Sequence, residues 1–393
     1  MSADVASTEI KQWLLSEAFD EPALLEGFIN HWPARHWSTQ FFADHNKLAE
    51  QKILFRVAEG SEPHSKKRRV GVQWENESRY VSNTFREFME YAETPGTADN
   101  PLREFIWAYA DYKYMKEIFH SVPELLADVD WSTFGFTDRD GRASTFWMGS
   151  KGAYTPCHYD TYGCNLVAQL YGKKKWTLFP PSETDKLYPT RIPFEESTVF
   201  SQVDLHCYDP EKHPLFPQAK RYDVVLEAGQ VLFVPKHWWH FVECETTAIS
   251  VNTWIELDSD KHDRINELLA AMLTKAMTDY AGNTNPRNFY NPKEDPMAYD
   301  EGVSLLNKLP CSTEICKPVT LKFGNIFSLP CKCCRGTSSQ LHPTHAVQKE
   351  SKEQRPRVTG REERSVDMDV NKLLRCVTHP RVINAIAQLL QQP

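Results

Sequence analysis

Two short stretches decide the fold: Thr155-Pro156-Cys157-His158-Tyr159-Asp160, and Pro235-Lys236-His237-Trp238-Trp239-His240-Phe241-Val242. The first reads as extended chain after Pro156, and on a strand the side chains at i and i+2 leave the same face, so His158 and Asp160 can grip one ion together. His240 lies 82 residues beyond His158. It can complete the set only if the intervening chain closes back on itself, as rolled-up β structures do. Two imidazoles and one carboxylate form a facial triad, which leaves the other face of an octahedral ion open and suits Fe(II) better than zinc, magnesium or calcium. The residues also admit a plainer account, a chance His-X-Asp and a packed histidine beside two tryptophans.

Working outward, Asn165 to Tyr171 alternates, with Asn165, Val167, Gln169 and Tyr171 on one face and Leu166, Ala168 and Leu170 on the other. Gly172-Lys173 then predicts a tight turn, making a hairpin with the alternating strand Lys174 to Phe179. Lys174 shares its face with Trp176 and Leu178. It either points into an apolar interior, which is unfavourable unless an anion such as a dicarboxylate meets it, or belongs to a solvated Lys173-Lys174-Lys175 turn. Further on, Gly229-Gln230 reads as a turn, Val231 to Val234 as a short apolar strand stopped by Pro235, and Ala248 to Ile255 as a last strand.

Taken with Ser201-Gln202-Val203-Asp204 and Ser250-Val251-Asn252-Thr253-Trp254, these motifs resemble a JmjC domain. The resemblance runs from about Pro22 to Glu256 and is strongest to two branches, one containing an asparaginyl hydroxylase and one associated with a small heat-shock protein. It implies a mainly β fold: a double-stranded β-helix (jelly-roll, cupin) core with flanking α-helices. It implies Fe(II) held by His158, Asp160 and His240, with 2-oxoglutarate and O2 as cosubstrates. The 2-oxoglutarate anchors would be Lys174 and Thr155 at the distal carboxylate, Asn165 and Asn252 in the pocket, and Tyr109 near that carboxylate. Between Asp160 and Asn165 stand four residues, Thr161 to Cys164, one more than in the asparaginyl-hydroxylase branch. That region borders the open coordination face and bears on substrate choice.

The expected organisation is a JmjC/cupin-like domain over 1–256 with its barrel core at about 142–256 and eight short strands, a helical extension over 257–310, a Cys-containing segment and disordered linker over 311–368, and an amphipathic helix over 369–393. Short helices are expected at Thr8 to Leu15, Pro22 to Asn30 and Asn83 to Tyr91, and strands at Lys52 to Ala58 and Phe105 to Tyr109. The excursion Tyr188 to Lys220 has no clear period, and His206 and His213 within it read as loop residues. Asp258-Ser259-Asp260 caps a helix to about Tyr280 whose stripe of Ile265, Leu268, Leu269, Met272, Leu273, Ala276 and Met277 packs on its own domain or forms a homodimer. A final helix is expected over Val370 to Leu390. Cys311, Cys316, Cys331, Cys333, Cys334, His342 and His345 miss the spacing of a paired zinc site.

A formal net charge of −8 argues against broad nucleic-acid binding. Lys66-Lys67-Arg68-Arg69 reads as a charged loop or a nuclear import signal. With no secretory signal, no membrane-length apolar run and ten scattered cysteines, the expectation is a cytoplasmic protein, with nuclear entry open. The leading functional expectation is hydroxylation of a protein side chain, with a small heat-shock protein as a partner. The alternatives are a tRNA nucleoside substrate, a scaffold that binds without catalysis, and a zinc or manganese cupin enzyme, against which Lys174 and Asn252 weigh.

Overall fold

The computed structural model describes residues 3–16, 20–59, 71–72, 74–93, 100–280, 289–291 and 375–390, together with 294, 302, 304 and 305. Eight strands make the barrel: β5 (Thr145–Gly149), β6 (Tyr154–Asp160), β7 (Cys164–Tyr171), β8 (Lys173–Phe179), β11 (Tyr222–Glu227), β12 (Gln230–Val234), β13 (Trp239–Cys244) and β14 (Ala248–Ile255). They divide into two antiparallel four-strand faces, ordered β12-β7-β14-β5 and β11-β8-β13-β6. Consecutive strands mostly alternate between the two faces, the arrangement of a double-stranded β-helix.

Both faces are extended. The first gains β4 (Trp107–Tyr114), β2 (Lys52–Ala58) and β3 (Arg79–Thr84) at one edge and β1 (Ala23–Glu26) at the other, giving eight strands. The second gains β10 (Thr198–Ser201) and β9 (Pro189–Thr190), giving six. The outer side of the larger sheet is covered by the N-terminal elements, through an aromatic core in which Trp37, Phe42, Phe119 and Phe146 meet edge to face or stacked.

Several expectations need correction. Pro22 to Asn30 is not a helix: Ala23↔Phe233 through Glu26↔Gln230 pair as strand, and Gly27 at φ +83° ends it. A nine-residue isolated helix carries a costly nucleus, while β12 offers an open edge whose backbone groups need partners. Gly172 is not the tip of a hairpin either. It passes the chain from β7 in one sheet to β8 in the other, with φ +65° and so little room that an added Cβ would lie 1.9 Å from the Thr247 carbonyl oxygen. The excursion after Tyr188 supplies β10, which pairs with β6 as Thr198↔Asp160, Val199↔Tyr159 and Phe200↔His158. That strand is too short for its period to show in sequence.

The helix after β3 follows its chemistry. Thr84 Oγ1 accepts from the Glu87 amide at 3.1 Å and the Glu87 carboxylate accepts from the Thr84 amide at 2.8 Å, a reciprocal cap that starts the helix Phe85–Glu93. The helix Asp260–Tyr280 begins and ends where its caps and stripe place it. Its Leu269, Leu273 and Met277 pack against Ile192, Phe194, Phe289, Tyr290, Ile383 and Ala387, so this chain covers the stripe itself. The terminal helix begins at Pro380, after a helical turn at 375–377, and runs Pro380–Leu390. Proline lacks an amide hydrogen and opens a helix readily but interrupts one that reaches it. The stretches 60–70 and 306–374, with the basic tetrad and the cysteines from Cys311 to Cys334, lie outside the described residues. No described helix is long and apolar enough to cross a membrane.

Candidate active site

The two distant histidines meet because β6 and β13 are neighbours, with His158 directly opposite His240 in the ladder. Their ring centroids are 4.2 Å apart. Asp160, two residues along β6, presents its Oδ1 3.8 Å from His158 Nε2. One ligand atom from each of the three lies within 4.8 Å of the others, the one such cluster among the described residues.

Each group is held by a second partner. His158 Nδ1 is 2.8 Å from the Pro156 carbonyl and His240 Nδ1 is 3.0 Å from the Trp238 carbonyl. A carbonyl only accepts, so each Nδ1 carries the hydrogen and each Nε2 is left with its lone pair. Burial, and then His240, hold His158 well below the usual histidine range, which keeps it in the neutral form that binds a metal. Trp254 Nε1 donates to Asp160 Oδ2 at 2.9 Å, fixing the carboxylate with Oδ1 toward the histidines.

The triad stands at one part of a cavity of about 410 Å³. At its floor is Lys174, 2% exposed. Its Nζ donates to Ser250 Oγ at 2.7 Å and to the Tyr109 hydroxyl at 3.2 Å, and lies over the rings of Tyr109 and Trp147. Among the described residues no carboxylate pairs with it. Burial pushes its amine down to about 8, only partly offset by Cys244. The solvated-turn reading of Lys174 therefore fails: Lys173 is exposed, and Lys174 is on the inward face of β8. Tyr109 hydrogen-bonds Thr155, and its phenol is raised well above the ordinary range by burial. Asn252 donates to Asn165 Oδ1 at 2.8 Å and accepts from Trp147 Nε1 at 2.7 Å.

All eight residues singled out in sequence line this one cavity. Trp176 lines it on the Lys174 face, as alternation placed it; sequence reasoning missed Ser250 and Tyr112, which line it too, and Trp147, whose strand carried no motif. Ser250 had a signal, since it is two residues from Asn252 on the same strand face. His206 lies elsewhere, 3.1 Å from Glu243 Oε1 and 3.8 Å from Asp204 Oδ1, and His213 meets Tyr188 edge to face.

The donor set suits a ferrous ion: two imidazole nitrogens and one carboxylate oxygen, with no thiolate. A buried ammonium supported only by neutral hydroxyls and rings suits a carboxylate-bearing organic ligand.

Residues 9–261 match the family model for a cupin-like domain, and the chain belongs to that family, in the JmjC group. More particularly, it is 42% identical over 299 residues to HSPB1-associated protein 1 homolog of Danio rerio, covering 74% of this chain and 64% of that one. It is 31% identical over 243 residues to Lysine-specific demethylase 8 of Xenopus tropicalis, covering 60% and 48%. With tRNA wybutosine-synthesizing protein 5 of Mus musculus the identity is 32% over 197 residues, covering 50% and 53%. The chain thus spans between 48% and 64% of the length of these relatives.

Proposed function

We propose that this chain is an Fe(II)- and 2-oxoglutarate-dependent oxygenase that hydroxylates a protein side chain. The observation that carries the reading is Lys174: a buried amine with no carboxylate partner among the described residues, in the same cavity as two histidines and an aspartate whose ligand atoms converge. His158 and His240 through Nε2, and Asp160 through Oδ1, would hold the iron. When bound, iron with 2-oxoglutarate supplies the oxidation of a C–H bond by dioxygen, with succinate and carbon dioxide as by-products.

The protein's own contribution is placement. Lys174 and Tyr109, with Thr155, would receive the far carboxylate, and a charge-assisted hydrogen bond of this kind contributes about 1.5 to 3 kcal/mol. Asn165 and Asn252, locked to each other and to Trp147, present fixed dipoles to the cavity. The apolar walls of Val167, Trp176 and Val242 keep water from the reacting groups.

A protein substrate is favoured over RNA by the acidic balance of the chain, a formal net charge of −8, which disfavours phosphate-rich partners. The names of the relatives support a second reading, in which a small heat-shock protein is a partner whether or not it is the substrate.

The test is anaerobic titration with Fe(II) and then 2-oxoglutarate. Asp160→Ala should abolish iron binding and Lys174→Ala should mainly weaken 2-oxoglutarate. A proteome-wide search for +16 Da products lost in Asp160→Ala would identify the substrate. If wild type and Asp160→Ala release succinate at the same negligible rate from every peptide and tRNA pool, the oxygenase reading fails in favour of a scaffold.

A further inference from the structure

Strand β4 breaks its own alternation at Tyr112. Trp107 and Tyr109 face the barrel side, while Ala108 and Ala110 face the aromatic core outside the larger sheet. Period two would send Tyr112 out with the alanines. Instead the register against β5 shifts between Ala110↔Met148 and Lys113↔Phe146, so three steps on β4 face two on β5. Within this bulge Tyr112 takes φ +49°, a left-handed conformation that a bulky side chain rarely adopts. The result is a ring turned back to the barrel side, tilted against Trp147 with 4.5 Å between centroids and lining the cavity.

Its position in the cavity is distinctive. Among the described lining residues only Tyr112, Asp160 and Trp254 keep partial exposure; the others are buried. These three therefore mark the mouth. Asp160 is fixed by an indole hydrogen bond from Trp254, and Tyr112 is held by the bulge and by its contact with Trp147. Strained backbone of this kind persists where a side chain must be aimed against local preference.

Building on the oxygenase reading, we infer that Tyr112 is a specificity-determining residue: its inward ring sets the width of the entrance, admitting a slender side chain and keeping bulkier groups from the metal ligands. The ring and not the hydroxyl does this. The bulge exists to deliver it.

The pocket floor provides a readout that needs neither metal nor cosubstrate. Lys174 should react, near pH 8, with a small amine reagent such as cyanate but slowly with bulky trinitrobenzenesulfonate, and the exposed Lys173 beside it serves as an internal control, both resolved by peptide mass spectrometry. In the full chain, Tyr112→Ala should raise trinitrobenzenesulfonate labelling of Lys174 by roughly tenfold or more, the scale on which pocket sterics discriminate, with cyanate labelling unchanged. Tyr112→Phe should behave as wild type. Tyr112→Asn, which tolerates the left-handed backbone without the ring, should match Tyr112→Ala and guards against collapse of the bulge. The inference is overturned if both ringless variants label Lys174 at the wild-type rate, if cyanate labelling rises equally, which signals general loosening, or if wild-type Lys174 reacts with both reagents alike. Failure of iron or 2-oxoglutarate binding would instead refute the oxygenase reading and leave this labelling pattern unaffected.

Discussion

Replacing Lys174 with methionine should make the ligand-free protein more stable and the ligand-bound protein less so. Burial lowers the amine from 10.5 to about 8, and at 1.36 kcal/mol per pH unit that corresponds to about 3 kcal/mol of native-state penalty. Because the folded-state pKa is depressed for a base, the penalty is fully present below pH 8 and is relieved as pH rises from 8 to 10.5, where the unfolded chain holds the proton and the native one does not. Lys174→Met removes the charge and leaves Ser250 without its donor, which costs about 1 kcal/mol. The net expectation at pH 7 is a gain of about 2 kcal/mol, or roughly 4 to 8 °C in Tm. The advantage should vanish by pH 10.5, and taking the difference between variant and wild type cancels the titration of tyrosines and other lysines. Saturating 2-oxoglutarate with Fe(II) should reverse the order, because only wild type can return a charge-assisted bond to the dianion. Thermal scans at pH 7, 9 and 10.5, with and without ligand, measure all of this. A Lys174→Met protein that melts several degrees below wild type at pH 7, with a difference independent of pH, would refute the claim that this amine is held at an energetic cost.

Three other perturbations follow from single contacts. Trp254→Phe leaves Asp160 Oδ2 without its donor at 2.9 Å, and Co(II) or Fe(II) titration should show affinity reduced by roughly 10- to 100-fold with little change in Tm. Arg191 is paired through both guanidinium nitrogens with Glu267, both sides nearly inaccessible, so Arg191→Met strands a buried carboxylate and should cost about 3 to 5 kcal/mol in urea unfolding. Gly172→Ala would place a Cβ against the Thr247 carbonyl oxygen at a left-handed φ; its loss should exceed about 3 kcal/mol and lower soluble yield, while Gly71→Ala, also at a positive φ but with nothing within 4 Å, should lose only the backbone cost and fall less.

Much of the site was legible because it obeys parity. His158 and Asp160 are two apart on β6, Lys174 and Trp176 two apart on β8, and Ser250 and Asn252 two apart on β14, so alternation placed each pair on one face. What parity could not supply was pairing between strands far apart in sequence. The opposition of His158 and His240 was an inference from closure and resemblance, and β1 was misread because its four residues acquire a strand's identity only from the edge of β12. Tyr112 was illegible for a different reason: the expected strand stopped at Tyr109, and alternation carried past it would put Tyr112 on the wrong face, because a bulge reverses the parity and is fixed by how two strands fit rather than by either alone. The alternative for Lys174 stayed open because three consecutive lysines carry no phase; the neighbours Tyr109 and Ser250, 65 and 76 residues away, decide it.

Asp260 ties the loops around both ligand strands to the start of the following helix: its carboxylate accepts from the Gly163 amide just after β6, from the Leu257 amide, and from Lys236 shortly before β13, while Asp263 takes the same lysine at 2.9 Å. The family match stops at residue 261, between these two acids. A fragment cut at that border would retain His158, Asp160 and His240 and lose half of the brace beneath them, so the span that the family model covers is shorter than the span that must fold together to keep the site in shape.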